Sequence, residues 1–248
     1  METCSVLIVG GGPAGSTCAR RLRDAGVDVI VLDKAVFPRD KVCAGWITPA
    51  IVQSLQLDPV DYATSRVWQP FTQFKTGMIG RPPTLTDYGS PVSFGIRRCE
   101  FDAYLLNRCG ARLQLGEAFQ SMEADAEGWV VNGRYHAQLV IGAGGHFCPV
   151  ARQLSPRPET GDDPVVLAQE VEFLLPEHQR ANCPVSGTCP ELYFCPDLAG
   201  YGWIVRKGDY LNIGLGREGE RNLATQLEAF LTDLRQRSRL TVEIPQPF

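Results

Sequence analysis

Gly10, Gly12 and Gly15 stand at the spacing Gly-x-Gly-x-x-Gly directly after the apolar run Val6 to Val9. An amphipathic stretch follows, then a second apolar run from Val27 to Leu32 that ends on Asp33. These residue types at this spacing suit the holding of a dinucleotide. Gly10 permits a tight turn after the strand, Gly12 lets the backbone approach a pyrophosphate, and Gly15 lets a helix pack closely on the sheet. The helix start offers unpaired N–H groups and the positive end of its dipole to phosphate charge. Asp33, at the end of the next strand, can accept hydrogen bonds from a ribose. A glycine-rich turn can also serve only a backbone that needs φ > 0. The strand before it and the helix and strand after it favour the binding reading.

The other residues that could do chemistry point elsewhere. Nine cysteines are many for 248 residues, yet none forms Cys-x-x-Cys, and Cys183, Cys189 and Cys195 are not at a zinc spacing. Cys4, Cys18 and Cys109 sit in apolar settings, where a thiol acts as a small hydrophobe. No metal site and no disulfide framework are expected. A net charge of -4 with intermixed Arg and Glu carries no nucleic-acid signature. With 44% hydrophobic residues the chain has ample material for a globular core, and no apolar run approaches the ~18 residues of a membrane span. The first strand begins almost at Met1 with no signal peptide before it, so a cytoplasmic location is expected.

The elements that must position the glycine turn are legible from periodicity. After the first strand–helix–strand unit comes the loop Phe37 to Trp46, which bears Cys43, Ala44 and Gly45. Thr48-Pro49 reads as a helix start. Residues 68–96 read as β structure. Arg98 to Cys109 reads as a helix, with Phe101, Leu105 and Cys109 on one stripe and Gly110 as terminator. A β-meander is expected at 111–115, 118–124 and 129–131, followed by the apolar strand from Gln138 into Gly142 to Gly145. Antiparallel strands are expected at 165–173, 191–195, 201–205 and 210–215, then a helix over 222–237. The pattern predicts an α/β fold in which an antiparallel sheet interleaves with a parallel one. The expected domains are 1–66 with 92–160 for the dinucleotide, and 67–91 with 161–248 for a substrate.

At this point the chain resembles the FAD-dependent oxidoreductases of the geranylgeranyl reductase group, within the wider p-hydroxybenzoate hydroxylase-like class. The resemblance rests on Gly10-Gly11-Gly12-Pro13-Ala14-Gly15, on Asp33-Lys34, on Arg39 to Gly45, on Arg98-Cys-Glu-Phe-Asp102, and on Tyr201-Gly-Trp203-Ile-Val-Arg206 with the strand after it. It implies a Rossmann-like FAD-binding domain with an interleaved antiparallel substrate domain. Pro13 and Ala14 are typical of FAD-binding versions of the turn. The resemblance places Lys34 and Ala118 by the adenine and Arg98 by the phosphates. It places Cys43, flanked by Ala44 and Gly45, beside the flavin ring, where Cys43 would tune or guard the flavin edge. Tyr193, Tyr201 and Trp203 would line an apolar pocket for an isoprenoid substrate.

The implied activity is reduction of isoprenoid C=C bonds by hydride from reduced flavin, with NAD(P)H as electron donor and peripheral membrane contact through the substrate. Three departures qualify this. Gly144 stands where the group's Gly-Ala-Asp-Gly motif has aspartate, Val205-Arg206 replaces Phe-Pro, and no later Gly-Asp-Ala-x-Gly motif is found. The last leads to the expectation of a C-terminally truncated chain. Two alternatives stand beside the reductase. One is a flavin monooxygenase or halogenase, which would carry a Trp-x-Trp-x-Ile-Pro stretch where this chain has only Trp203. The other is a non-catalytic remnant with a partial FAD site.

Overall fold

The structure is a computed structural model that describes residues 1–155, 165–219 and 223–245. In chain order its elements are β1 (Glu2–Val9), α1 (Pro13–Asp24), β2 (Val29–Asp33), β3 (Trp46–Ile47), α2 (Pro49–Ser54), α3 (Pro59–Ala63), β4 (Trp68–Phe71), β5 (Gln73–Met78), β6 (Thr84–Asp87), β7 (Ser93–Ile96) and α4 (Arg98–Asn107). There follow β8 (Arg112–Leu115), β9 (Met122–Ala124), β10 (Trp129–Val131), β11 (Tyr135–Gly142), α5 (Pro149–Leu154), β12 (Val166–Leu174), α6 (Glu177–Arg180), β13 (Glu191–Phe194), β14 (Gly200–Lys207), β15 (Tyr210–Glu218) and α7 (Leu223–Gln236). They gather into two compact units, Met1–Lys41 with Cys99–Gly161 and Val42–Arg98 with Asp162–Phe248. The segment 42–66 thus groups with the second unit.

The first unit is built on one sheet in the order β8-β2-β1-β11-β10-β9. The first four strands run parallel, and β10 and β9 extend the β11 edge antiparallel. β1 is apolar on both faces, as a strand covered on both sides requires. Val6 and Ile8 join Ala19 of α1 and Leu106 of α4. Leu7 and Val9 join Met122, Val131 and Tyr135, with Val150 of α5.

The second unit has a six-stranded sheet in the order β12-β15-β14-β13-β5-β6 and a small sheet β3-β7-β4. In the larger sheet β13 and β5 pair parallel and the rest antiparallel. The stripe Leu227, Phe230, Leu231 and Leu234 of α7 packs with Tyr193, Ile204, Ile213 and Leu215 on one face. Alternation along the strands sends Trp203, Val205, Lys207 and Asn212 to the other face.

The expected meander is corrected. The β8 strand does not pair with β9; it lies beside β2, and β9 and β10 lie at the opposite edge. Residues 118–121 are not a strand, because Gln120 and Ser121 give their N–H groups to the Asn132 side chain instead of to a ladder. The patterning also missed α3, whose start is capped by Asp58 accepting from the Val60 and Asp61 N–H groups, and the short helices α5 and α6. The expected helix over 222–237 is α7, and residue 222 lies outside the described residues.

Candidate functional site

The glycine turn joins β1 to α1, and its three glycines are present for different reasons. Gly10 has φ +116, and a Cβ there would lie 2.5 Å from the Ala143 carbonyl oxygen. A Cβ on Gly15 would lie 1.8 Å from the Gly10 carbonyl oxygen. These two are glycines because the fold leaves no room. Gly12 differs. Its φ of -67° and ψ of -175° suit any residue, and a Cβ there would meet only the Arg39 guanidinium, at 3.7 Å. Nothing in the chain's own packing requires glycine at this position. Gly12 caps α1 with no side-chain cap, and Pro13 follows at the first helical position, where a missing N–H costs nothing.

Arg39, whose role in this turn was not foreseen from the sequence, lies over the same turn. Its Nη2 pairs with Asp102 of α4 at 3.2 Å, and Asp102 is completely buried. Its Nη1 is buried and meets no hydrogen-bond partner among the described residues. A buried guanidinium nitrogen without an acceptor is costly unless an anion meets it. The open space at Gly12, the uncapped helix start and this orphaned donor fit a pyrophosphate. The signal in the sequence is a basic residue a few positions past the second strand, at the head of the Arg39 to Gly45 loop.

The Asp33 carboxylate is held at the end of β2 by the Gly11 N–H at 2.6 Å and the Ala35 N–H at 2.8 Å. Each oxygen keeps lone pairs for further donors. Lys34 and Ala118 are exposed. Beside Ala118, Glu117 accepts from the Tyr135 hydroxyl at 2.7 Å and from Arg134 at 2.9 Å. The Tyr135 bond, more than Asn132 and Arg134, holds the Glu117 carboxyl below its ordinary range. Burial, with Glu117 beside it, pushes Tyr135 up to about 12. The second glycine cluster is the other wall of the turn, since Ala143 donates its N–H to the Val9 carbonyl at 2.8 Å and closes on Gly10. Arg98 opens α4 and is half-buried.

In the second unit, Cys43, Ala44 and Gly45 form a loop fastened to the larger sheet. Gly45 has φ +66, and a Cβ there would lie 2.0 Å from the Ile96 carbonyl oxygen and 2.6 Å from Lys207 Nζ. Lys207 is completely buried. Its ammonium donates to the Ala44 and Ile96 carbonyls, both at 2.9 Å, and pairs with Glu172, which also meets Arg97 at 3.0 Å. The half-buried Cys43 thiol accepts the Gly45 N–H at 3.5 Å.

Trp46 stacks on Phe74, with ring centroids 4.9 Å apart, next to Trp203 and Phe71. Tyr201 is exposed and lies 5.9 Å from Trp203, centroid to centroid, on the same face. The structure therefore brings Cys43, Tyr201 and Trp203 to one face of this sheet. It does not bring Tyr193 there. That ring is buried on the α7 face against Phe230, and its hydroxyl donates to Glu191 at 2.7 Å. A one-residue offset along a strand reverses the face.

An FAD binding domain family matches residues 3–57. Along 95% of its length the chain is 28% identical to a menaquinone reductase of Mycobacterium tuberculosis, covering 61% of that protein. Along 85% it is 27% identical to a digeranylgeranylglycerophospholipid reductase of Methanothermobacter thermautotrophicus, covering 55% of it. The chain thus spans about 61% of the menaquinone reductase and 55% of the second relative. Among solved structures, a geranylgeranyl bacteriochlorophyll reductase-like protein of Thermoplasma acidophilum superposes with a TM-score of 0.73 at 20% identity, over 94% of this chain and 62% of that one. The halogenase PltM shares the fold as well, with a TM-score of 0.69 at 16% identity over 97% and 57%. Residues 3–57 match an FAD binding domain family, the chain is similar at 26–28% identity to reductases that include geranylgeranyl and digeranylgeranyl types, and its fold is shared with solved flavoproteins.

Proposed function

We propose that this chain serves an FAD-dependent reductase that saturates C=C bonds of an isoprenoid or prenyl-type apolar substrate, with NAD(P)H as electron donor. The observation that carries the reading is alignment along most of the chain with reductases of menaquinone and of digeranylgeranylglycerophospholipid. The glycine turn supports the cofactor half. Gly12, the start of α1 and Arg39 would hold the pyrophosphate, and Asp33 the adenosine ribose. Lys34, Ala118 and Arg98 are proposed neighbours of the adenine and phosphates. Bound there and reduced, FAD would supply hydride chemistry to the substrate.

The rest falls to the chain's own residues. The face bearing Tyr201 and Trp203 would hold the apolar substrate and exclude water. The Cys43 loop, fixed by Lys207, would form the wall beside the flavin. No helix among the described residues is long and apolar enough to cross a membrane. A lipid substrate would be met by peripheral contact with the membrane. The test is turnover. FAD-loaded protein is reduced anaerobically with NADPH or dithionite, then mixed with a geranylgeranyl lipid. The expected result is reoxidation of the flavin, with one H2 added per reduced double bond by mass spectrometry. Flavin that stays reduced in the presence of the lipid would overturn the reading.

A further inference from the structure

The turn that joins β13 to β14 carries apolar side chains outward. Leu198 at its tip is 71% exposed. Tyr201 and Phe194, paired next to the turn, are 44% and 38% exposed, and their ring centroids lie 6.1 Å apart. Leu198 has φ +61, a conformation that glycine or asparagine adopts more easily than leucine. The backbone of the turn is hydrogen-bonded from within. The Cys195 N–H donates to the Gly200 carbonyl and the Leu198 N–H to the Cys195 carbonyl, both at 2.9 Å. The Ala199 N–H donates to the Asp197 carboxylate at 3.1 Å, and Pro196 has no N–H to place. The Asp197 carboxylate also meets Arg217 at 2.7 Å. Inward from the tip, the Tyr201 ring lies 5.9 Å from that of Trp203, which is buried with Phe71.

We propose that this turn is a docking tip for the surface of a phospholipid bilayer, into which Leu198, Phe194 and Tyr201 insert. The proposal rests on the reading of the substrate as a lipid and names the place where the chain meets it. Three observations choose a bilayer over a protein partner. Three side chains are too few for a stable protein interface, which takes about 800 Å² from each partner. N–H groups already bonded within the turn can enter a low-dielectric layer without being left unmet. A tyrosine ring suits the boundary between headgroups and acyl chains, and this one continues into buried Trp203, so an apolar chain leaving the bilayer meets aromatic surface along its way. Charge at this end is balanced. Exposed Arg81 follows Met78, the partner of Phe194 in β5, and exposed Glu218 donates its N–H to the Ala199 carbonyl. Apolar insertion, and not attraction to anionic lipid, therefore carries the binding.

The experiment sediments the FAD-free chain with vesicles of phosphatidylcholine, and with vesicles of equal parts phosphatidylcholine and phosphatidylglycerol. The chain is expected to bind both, with little change on adding salt. Leu198→Asn removes the apolar tip yet suits the backbone, and is expected to weaken partitioning roughly tenfold, the worth of a leucine side chain taken out of water, with no fall in Tm. Phe194→Ser is expected to act in the same direction. Val60→Ser, at a 79% exposed apolar residue of α3, is expected to change nothing. A wild-type chain that stays in the supernatant would overturn the proposal. So would binding confined to the anionic vesicles and released by salt, or an equal loss in Val60→Ser, which would mark general adhesion. A dimer on gel filtration that Leu198→Asn dissolves would assign the tip to a second copy and overturn it as well. The vesicles hold no substrate and the chain no flavin, so these outcomes bear on the tip alone, and the turnover test bears on the reductase reading.

Discussion

Gly10, Gly12 and Gly15 look equivalent in the sequence, and only the structure separates them. A side chain at Gly15 must collide with the Gly10 carbonyl, whereas one at Gly12 meets only a guanidinium tip. Gly15→Ala is therefore expected to lower Tm sharply with or without FAD. Gly12→Val is expected to leave the Tm of the FAD-free chain near wild type and to weaken FAD binding. Arg39→Lys keeps a charge for the buried Asp102 but loses the planar fork. It is expected to raise the FAD Kd roughly tenfold, the worth of one charge-assisted hydrogen bond. Isothermal titration beside thermal melts reads all three. The turn motif was legible because its spacing is local. Arg39 was not, because its meaning depends on a bond to Asp102, 63 positions away, and on a buried nitrogen with no partner among the described residues.

At the scale of elements, periodicity found most strands and the two long amphipathic helices but not the pairing. The stretch 111–131 reads as a meander because its strands are consecutive, yet β8 joins the parallel edge beside β2. Local pattern does not encode which edge a strand takes. Two side-chain ties between elements carry predictions. Lys207 fastens β14 to the loop at Ala44 and to β7 at Ile96. Lys207→Met leaves Glu172 without its ammonium partner and is expected to cost about 3–5 kcal/mol in denaturant unfolding. Adding Glu172→Gln is expected to recover part of the loss.

The bond from Tyr135 of β11 to Glu117 sets a pH window on the first unit. A tyrosine raised to about 12 contributes stability that is fully present below its usual value near 10 and is lost as pH rises toward 12. Glu117, lowered from its model-compound value of 4.5, contributes stability above that value, lost as pH falls through its folded value. Tm is expected to decline at both ends in the wild-type chain and to be flatter between pH 10 and 12 in Tyr135→Phe. Equal alkaline decline in both would contradict the assignment.

At the scale of the molecule, the fold class was legible because an ordered set of motifs runs through the chain, and the match of residues 3–57 to an FAD binding domain family agrees with the expected cofactor. Which face of the second sheet each aromatic residue takes was only half legible. Tyr201 and Trp203 share it, while Tyr193 turns to the α7 core, a difference of strand parity that residue type does not reveal. The central claim is that the turn at Gly10 to Gly15, with Arg39, holds FAD. The most direct measurement mixes the 248-residue chain with excess FAD, passes it through gel filtration and records flavin absorbance against protein. Flavin is expected to co-elute at about one per chain, with less retained by Arg39→Lys and by Gly12→Val. A folded chain that elutes colourless, or variants that retain as much flavin as the wild type, would contradict it.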